Sequence, residues 1–126
     1  MRRVPMIAIA AGLCMLVACS EDETGLDDCT PSSTRVCMAA DSFEPATLTV
    51  ARGAAVTWRN GDAAAHTATS SPGNPAGCPT FDSTVNAGQN TPAVTFNPTA
   101  SVTCLYYCKL HATPTSGNMR GTIVVQ

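Results

Sequence analysis

Nowhere along the 126 residues do apolar side chains recur at a convincing helical spacing. What recurs is a short run, often alternating, and then a turn. Leu48 and Val50 alternate inward within 47–51, and Val56 and Trp58 share one face of 54–59. Further strands are expected over 35–40, 66–70, 93–96, 102–108 and 121–126. Gly53 and Asn60-Gly61-Asp62 read as turns, and 70–79 as a loop rich in Pro, Gly and Ser. Short strands with frequent turns over about 95 residues predict an all-β, antiparallel β-sandwich. Charged residues are only 13% of the chain, too few for a disordered polyelectrolyte. No internal repeat is visible.

The amino-terminal segment has a separate logic. Arg2 and Arg3 precede an apolar stretch from Val4 to Ala18, too short to span a bilayer and of the kind that opens a secretory signal. It ends in Leu16-Val17-Ala18-Cys19, which resembles the bacterial lipoprotein processing box. The resemblance implies cleavage before Cys19 and acylation of that residue. Several acyl chains on one terminus anchor a protein stably, where one does not. Five of the nine acidic residues (Glu21, Asp22, Glu23, Asp27 and Asp28) follow Cys19 closely. They read as a solvated tether. The expected organisation is a signal over 1–18, a lipidated acidic tether over 19–32 and one domain over 33–126. The expected location is periplasmic or cell-surface, on a bacterial membrane. From Cys29 onward basic and acidic residues nearly balance, so neither nucleic acid nor a strongly charged partner is indicated. The membrane is met through the lipid alone, and a monomer is expected.

Seven cysteines are present. Cys14 leaves with the signal and Cys19 is lipidated. Cys29, Cys37, Cys78, Cys104 and Cys108 remain, an odd number in an exported chain that should pair its thiols. One cysteine therefore needs another task. If Cys108 is that one, the other four form two bridges. Three connectivities are open; closeness in sequence favours Cys29–Cys37, which leaves Cys78–Cys104.

The task is indicated by Tyr107-Cys108-Lys109-Leu110-His111 followed by Met119. A thiolate, an imidazole and a thioether fall in one loop between two expected strands. Upstream, Trp58-Arg59-Asn60-Gly61-Asp62 leads to His66-Thr67 and a second imidazole. Two histidines, a cysteine and a distant methionine form the donor set of blue-copper electron-transfer sites. Soft sulfur suits Cu(I) and imidazole serves both oxidation states, so one set accommodates both. The expected cofactor is a single copper ion held by His66, Cys108, His111 and Met119. The chain has only two histidines, and both are used. No second centre or open catalytic position can be built from what remains, so an enzyme is not expected.

These residues give the chain its resemblance to the cupredoxins, the plastocyanin, pseudoazurin and amicyanin group of blue copper proteins. Phe43-Glu44-Pro45, Leu48-Thr49-Val50, Gly53, Val56, Trp58, Asn60 and His66-Thr67 follow that family's first half. Phe81-Asp82-Ser83 and Gly88 resemble the middle of its small bacterial members. Tyr107, Cys108, His111, Met119, Gly121, Ile123 and Val125 follow its end. The resemblance runs from about Arg35 to Gln126. It implies a Greek-key sandwich of about eight strands with copper at one end. It further implies electron exchange through the exposed edge of His111, where redox partners would dock. It makes Asn60 and Thr67 candidates for hydrogen bonds that tie the two ligand-bearing loops. One departure is visible: seven residues separate His111 from Met119, more than in those relatives. Pro114, Ser116 and Gly117 let that stretch bulge outward and enlarge the surface beside His111. Tyr106 is expected in the core and Tyr107 on the opposite face of its strand.

Two rival readings keep copper. Ligand identity alone also fits copper storage or delivery. Cys104-x-x-x-Cys108 with His111 and Met119 resembles the binuclear copper loop of cytochrome oxidase and nitrous oxide reductase. A strand conformation would set the two cysteines roughly 13 Å apart, too far to bridge two metals.

Overall fold

The computed structural model describes residues 29–126. The expected signal, Cys19 and the acidic residues up to Asp28 lie outside them. Nine strands follow in order: β1 (Arg35–Ala39), β2 (Ser42–Glu44), β3 (Thr47–Val50), β4 (Ala54–Asn60), β5 (His66–Ser70), β6 (Asp82–Val85), β7 (Val94–Phe96), β8 (Val102–Tyr107) and β9 (Arg120–Val125). They form two sheets, ordered β2-β1-β4-β7 and β3-β9-β8-β5-β6. The architecture is the expected all-β sandwich, with two refinements. Strands β1 and β4 run parallel, as do β3 and β9, so both sheets are mixed and not purely antiparallel. The chain leaves the first sheet for β3 and returns to it along β4, which fixes the parallel pairing. Two short strands, β2 and β6, were not among the expected ones.

The alternation read from the sequence sets the two faces. Val56, Trp58 and Asn60 of β4 are buried, and the residues between them are not. Leu48 and Val50 of β3 point inward with Ile123 and Val125 of β9. Met38 lies in the same core. Trp58 sits at its centre, its ring 5.0 Å from Phe81 and 5.2 Å from Tyr106 between centroids. Such aromatic pairs contribute roughly 0.5–1.5 kcal/mol beyond their area. Cys29–Cys37 and Cys78–Cys104 are disulfide-bonded. The first ties the residues before β1 to that strand, and the second ties the 71–81 loop to β8.

A two-residue turn, Ala40-Asp41, joins β1 to β2 across the Ala39↔Ser42 pair. Both residues have positive φ, 49° and 54°. The twist of a hairpin demands this, but it strains residues other than glycine by about 1–2 kcal/mol each. Something outside the turn must hold it.

Tyr106 explains one glycine. Its ring lies over Gly121 on the neighbouring strand, where a Cβ would overlap the phenol Cζ and Oη. Gly121→Ala should therefore lower stability by about 1–3 kcal/mol through overpacking. Urea unfolding followed by Trp58 fluorescence reads this as a lower midpoint, and an unchanged midpoint would show that the ring moves aside freely.

Candidate metal centre

The first residue of β5 and the loop after β8 meet at one end of the sandwich. His66 opens β5 and is fully buried, Cys108 follows β8 and is also fully buried, and His111 lies exposed three residues on. The Nδ1 atoms of His66 and His111 are 3.1 Å apart. Cys108 Sγ lies 3.4 Å from Nδ1 of His111 and 3.9 Å from Nδ1 of His66. A point equidistant from all three donors lies about 2.0 Å from each, the circumradius of that triangle. First-row ions bind imidazole nitrogen and thiolate sulfur at roughly 2.0–2.3 Å. The donors present therefore fit a single small ion.

The outer nitrogens sharpen the point. His66 Nε2 is 2.8 Å from Oδ2 of Asp62. A carboxylate only accepts, so Nε2 carries the proton and Nδ1 presents its lone pair inward. His111 Nε2 faces Oδ1 of Asp41 at 3.6 Å. Its Nδ1, turned toward that of His66, completes an inward-facing set of soft and borderline donors. Such a set suits copper.

Thr67 joins the two ligand-bearing segments. Its backbone N–H donates to Cys108 Sγ at 3.2 Å, and its hydroxyl oxygen accepts the Lys109 N–H at 2.9 Å. The Thr67 hydroxyl meets that of Thr69, and Thr69 donates onward to Asp82. Asp82 in turn holds the Lys109 ammonium at 2.6 Å. That ammonium, then the Thr69 hydroxyl, keep the Asp82 carboxyl below its ordinary range. Asn60 behaves differently from the expectation. Its amide donates to the carbonyls of Ala64 and Val85, and its oxygen accepts the Asp62 N–H. Asn60 thus builds the turn that delivers His66 and makes no bond to the Cys108 loop, because its short amide is consumed within 60–64 and by β6.

Met119 is fully buried in the same apolar cluster as Cys108, and its carbonyl accepts the Cys108 N–H at 3.0 Å. The stretch between His111 and Met119 forms a miniature hairpin. Ala112 bridges Gly117, and Thr113 and Ser116 bond to each other through backbone and hydroxyl. Gly117 has a φ of 97° and packs so closely on Ala112 that a Cβ would collide with it. The added residues therefore project outward. Cys104 is consumed by its bridge to Cys78, which leaves Cys108 as the free cysteine among the described residues. A binuclear centre lacks its second thiolate. Tyr106 is buried and Tyr107 half-buried on opposite faces of β8.

Sequence reasoning missed Asp62 as a neighbour of the site. Partial burial pushes its carboxyl up, but the Ala40 N–H, the His66 ring and the Asp41 N–H together outweigh this and hold it below the ordinary range. The available signal was its place four residues before His66 in the Asn60-Gly61-Asp62 turn.

Residues 30–126 match the family described as copper binding proteins, plastocyanin/azurin family. No curated protein matches the chain in sequence. Among solved structures, an oxidized amicyanin variant is 25% identical with a TM-score of 0.60, over 80% of this chain and 89% of that one. A purple cupredoxin from Nitrosopumilus maritimus is 23% identical with a TM-score of 0.58, over 74% of this chain and 99% of that one. A Cu-containing nitrite reductase from Thermus scotoductus SA-01 is 23% identical with a TM-score of 0.60, over 78% of this chain. This chain spans only 23% of the length of that reductase. The last two likenesses concern the fold alone. The chain belongs to the plastocyanin/azurin family of copper binding proteins, and its cluster of His66, Cys108 and His111 fits one type 1 copper ion.

Proposed function

We propose that the protein is an exported blue-copper electron carrier, with His66, Cys108 and His111 as the principal ligands and Met119 as a weak axial one. The observation that carries this reading is the triangle of two Nδ1 atoms and one Sγ, closed by residues from two distant segments. A bound copper ion supplies one-electron chemistry, alternating between Cu(II) and Cu(I). The chain supplies the rest. Thr67 N–H stabilises negative charge on the Cys108 sulfur, and the Thr67–Lys109 bond holds the two ligand segments in register. Burial of His66, Cys108 and Met119 keeps water from three sides of the site, while His111 stays exposed. An electron would enter and leave by that edge, beside Leu110, whose side chain is also exposed. Redox partners would dock there.

Two disulfides suit an oxidising compartment, which agrees with an exported protein. Acylation at Cys19 would hold it to a bacterial membrane, with the acidic segment as spacer. Function as a carrier and not an enzyme follows from the commitment of both histidines to one site.

Titration of the purified domain with Cu(II) tests the reading. An intense visible band saturating at one copper per chain, with a single-copper electron-spin signal, is expected. No such band would overturn the assignment, and a mixed-valence signal would point to two metals. Rapid loss of Cu(I) to a chelator would favour delivery over transfer. Cys108→Ser should abolish the intense band while the domain still folds, as judged by circular dichroism; a retained band would exclude Cys108 as ligand. Met119→Leu should raise the reduction potential with copper still bound, because losing a fourth, axial donor costs Cu(II) more than Cu(I), which three ligands already satisfy. Voltammetry showing no change would remove Met119 from the axial position.

A further inference from the structure

Asp62 makes more contacts at this end of the sandwich than its place in a surface turn explains. Its Oδ1 accepts the Ala40 N–H at 2.9 Å, and its Oδ2 accepts the Asp41 N–H at 3.3 Å and the His66 Nε2–H at 2.8 Å. Its own backbone N–H is fixed by Asn60 Oδ1 at 2.8 Å. The carboxylate thus receives three donors from two segments distant in sequence. Two of them come from the Ala40-Asp41 turn, whose positive φ angles need outside support. The third comes from the buried imidazole.

We infer that Asp62 is a positioning residue for the metal centre: it selects the His66 tautomer that offers Nδ1 to the ion, and its charge makes that imidazole a stronger donor to Cu(II). This rests on the copper reading above and deepens it. The chemistry is specific to a carboxylate. Each oxygen must accept, because everything facing it is a donor. An asparagine cannot meet that demand. With its oxygen on Ala40, its amide meets the Asp41 N–H and the His66 Nε2–H. With its oxygen on those two, its amide meets the Ala40 N–H. In the first arrangement the amide can bond to His66 only if the imidazole moves its proton to Nδ1, the atom that faces Cys108 and His111, and the Asp41 N–H stays opposed. Partners of this kind on a ligating imidazole typically change metal affinity by roughly 10–100-fold.

The same carboxylate reaches the exposed imidazole indirectly. By holding the turn it places Asp41, whose own carboxylate lies 3.6 Å from His111 Nε2. The β1–β2 hairpin is therefore a third segment of the site, although it contributes no ligand.

The test is Asp62→Asn, alone and with Ala40→Gly, in the full domain. Glycine relieves the strained turn and leaves every group that faces the site unchanged. Long-range proton–nitrogen spectra of the metal-free protein should show His66 as the Nε2–H tautomer in the parent and a mixture containing Nδ1–H in Asp62→Asn. Cu(II) affinity should fall about 10–100-fold and the reduction potential should rise. Both changes should persist in the double variant even where its thermal stability returns to that of the parent. A parent His66 carrying its proton on Nδ1 would overturn the inference, as would an unaltered tautomer and potential in Asp62→Asn. A potential shift that vanishes with Ala40→Gly would reduce Asp62 to support of the turn. If the parent bound no copper in a blue form, the functional reading would fail by itself, and the tautomer of the metal-free protein would still decide the role of Asp62.

Discussion

Between β5 and the loop after β8, the backbone of one ligand-bearing segment is bonded to the side chain of the other. Lys109 N–H donates to the Thr67 hydroxyl oxygen, while Thr67 N–H donates to the Cys108 sulfur. The polarity of the remaining bonds is then forced. Thr69 gives its hydrogen to Asp82, so Thr67 must give its own to Thr69. Asp82 closes the ring on the Lys109 ammonium. The relative placement of the two ligand-bearing segments depends on this ring, because it keeps Cys108, beside Lys109, opposite His66. A thiolate and an imidazole separated by 42 residues are brought near by the pairing of β5 with β8, and the ring fixes how they meet. Thr67 and Thr69 are buried, where an unsatisfied hydroxyl is costly, so their partners are specified closely; Asp82 and Lys109 close the ring at the exposed surface.

What the sequence disclosed and what it concealed divide along a physical line. Strands β3, β4, β5, β8 and β9 were legible because their apolar residues alternate or because turn residues bracket them. The short strands β2 and β6 were not, since Ser42–Glu44 and Asp82–Val85 are too brief to carry a period and are strands only through their partners. The parallel pairings of β1 with β4 and of β3 with β9 were concealed for a related reason, since strand direction is a property of the whole path and not of any window. At the site, the grouping of His66, Cys108 and His111 was legible because donor chemistry is written in residue type and the odd cysteine demanded an explanation. The part played by Asn60 was not, because an amide with several partners in reach gives no sign of which it takes. Asp62 was harder still: two of its three donors come from a hairpin about twenty residues upstream.

The disulfides fit into this picture as devices of placement. Cys78–Cys104 fastens the loop that follows β5 to the strand that leads to Cys108, so both arms of the metal centre are tied again behind the ring of hydrogen bonds. Closing such a loop acts chiefly by limiting the unfolded chain. It also spares Cys104 from competing with Cys108 for the ion. Two cysteines four residues apart, one on β8 and one just after it, thus differ in state, one bridged and one free among the metal-binding donors.

The miniature hairpin between His111 and Met119 has a consequence for how the site meets its surroundings. Its turn is closed by bonds internal to Thr113–Ser116, by the contact of Gly117 with Ala112 and by the Arg120 guanidinium on the Thr115 carbonyl, so none of the donor side chains takes part in closing it. The hydrogen bonds that shape the tip are therefore distinct from those that hold Cys108 and His66. On the proposed reading, recognition and electronic tuning would then be separate matters: the surface beside His111 is shaped by a turn built apart from the donors beneath it.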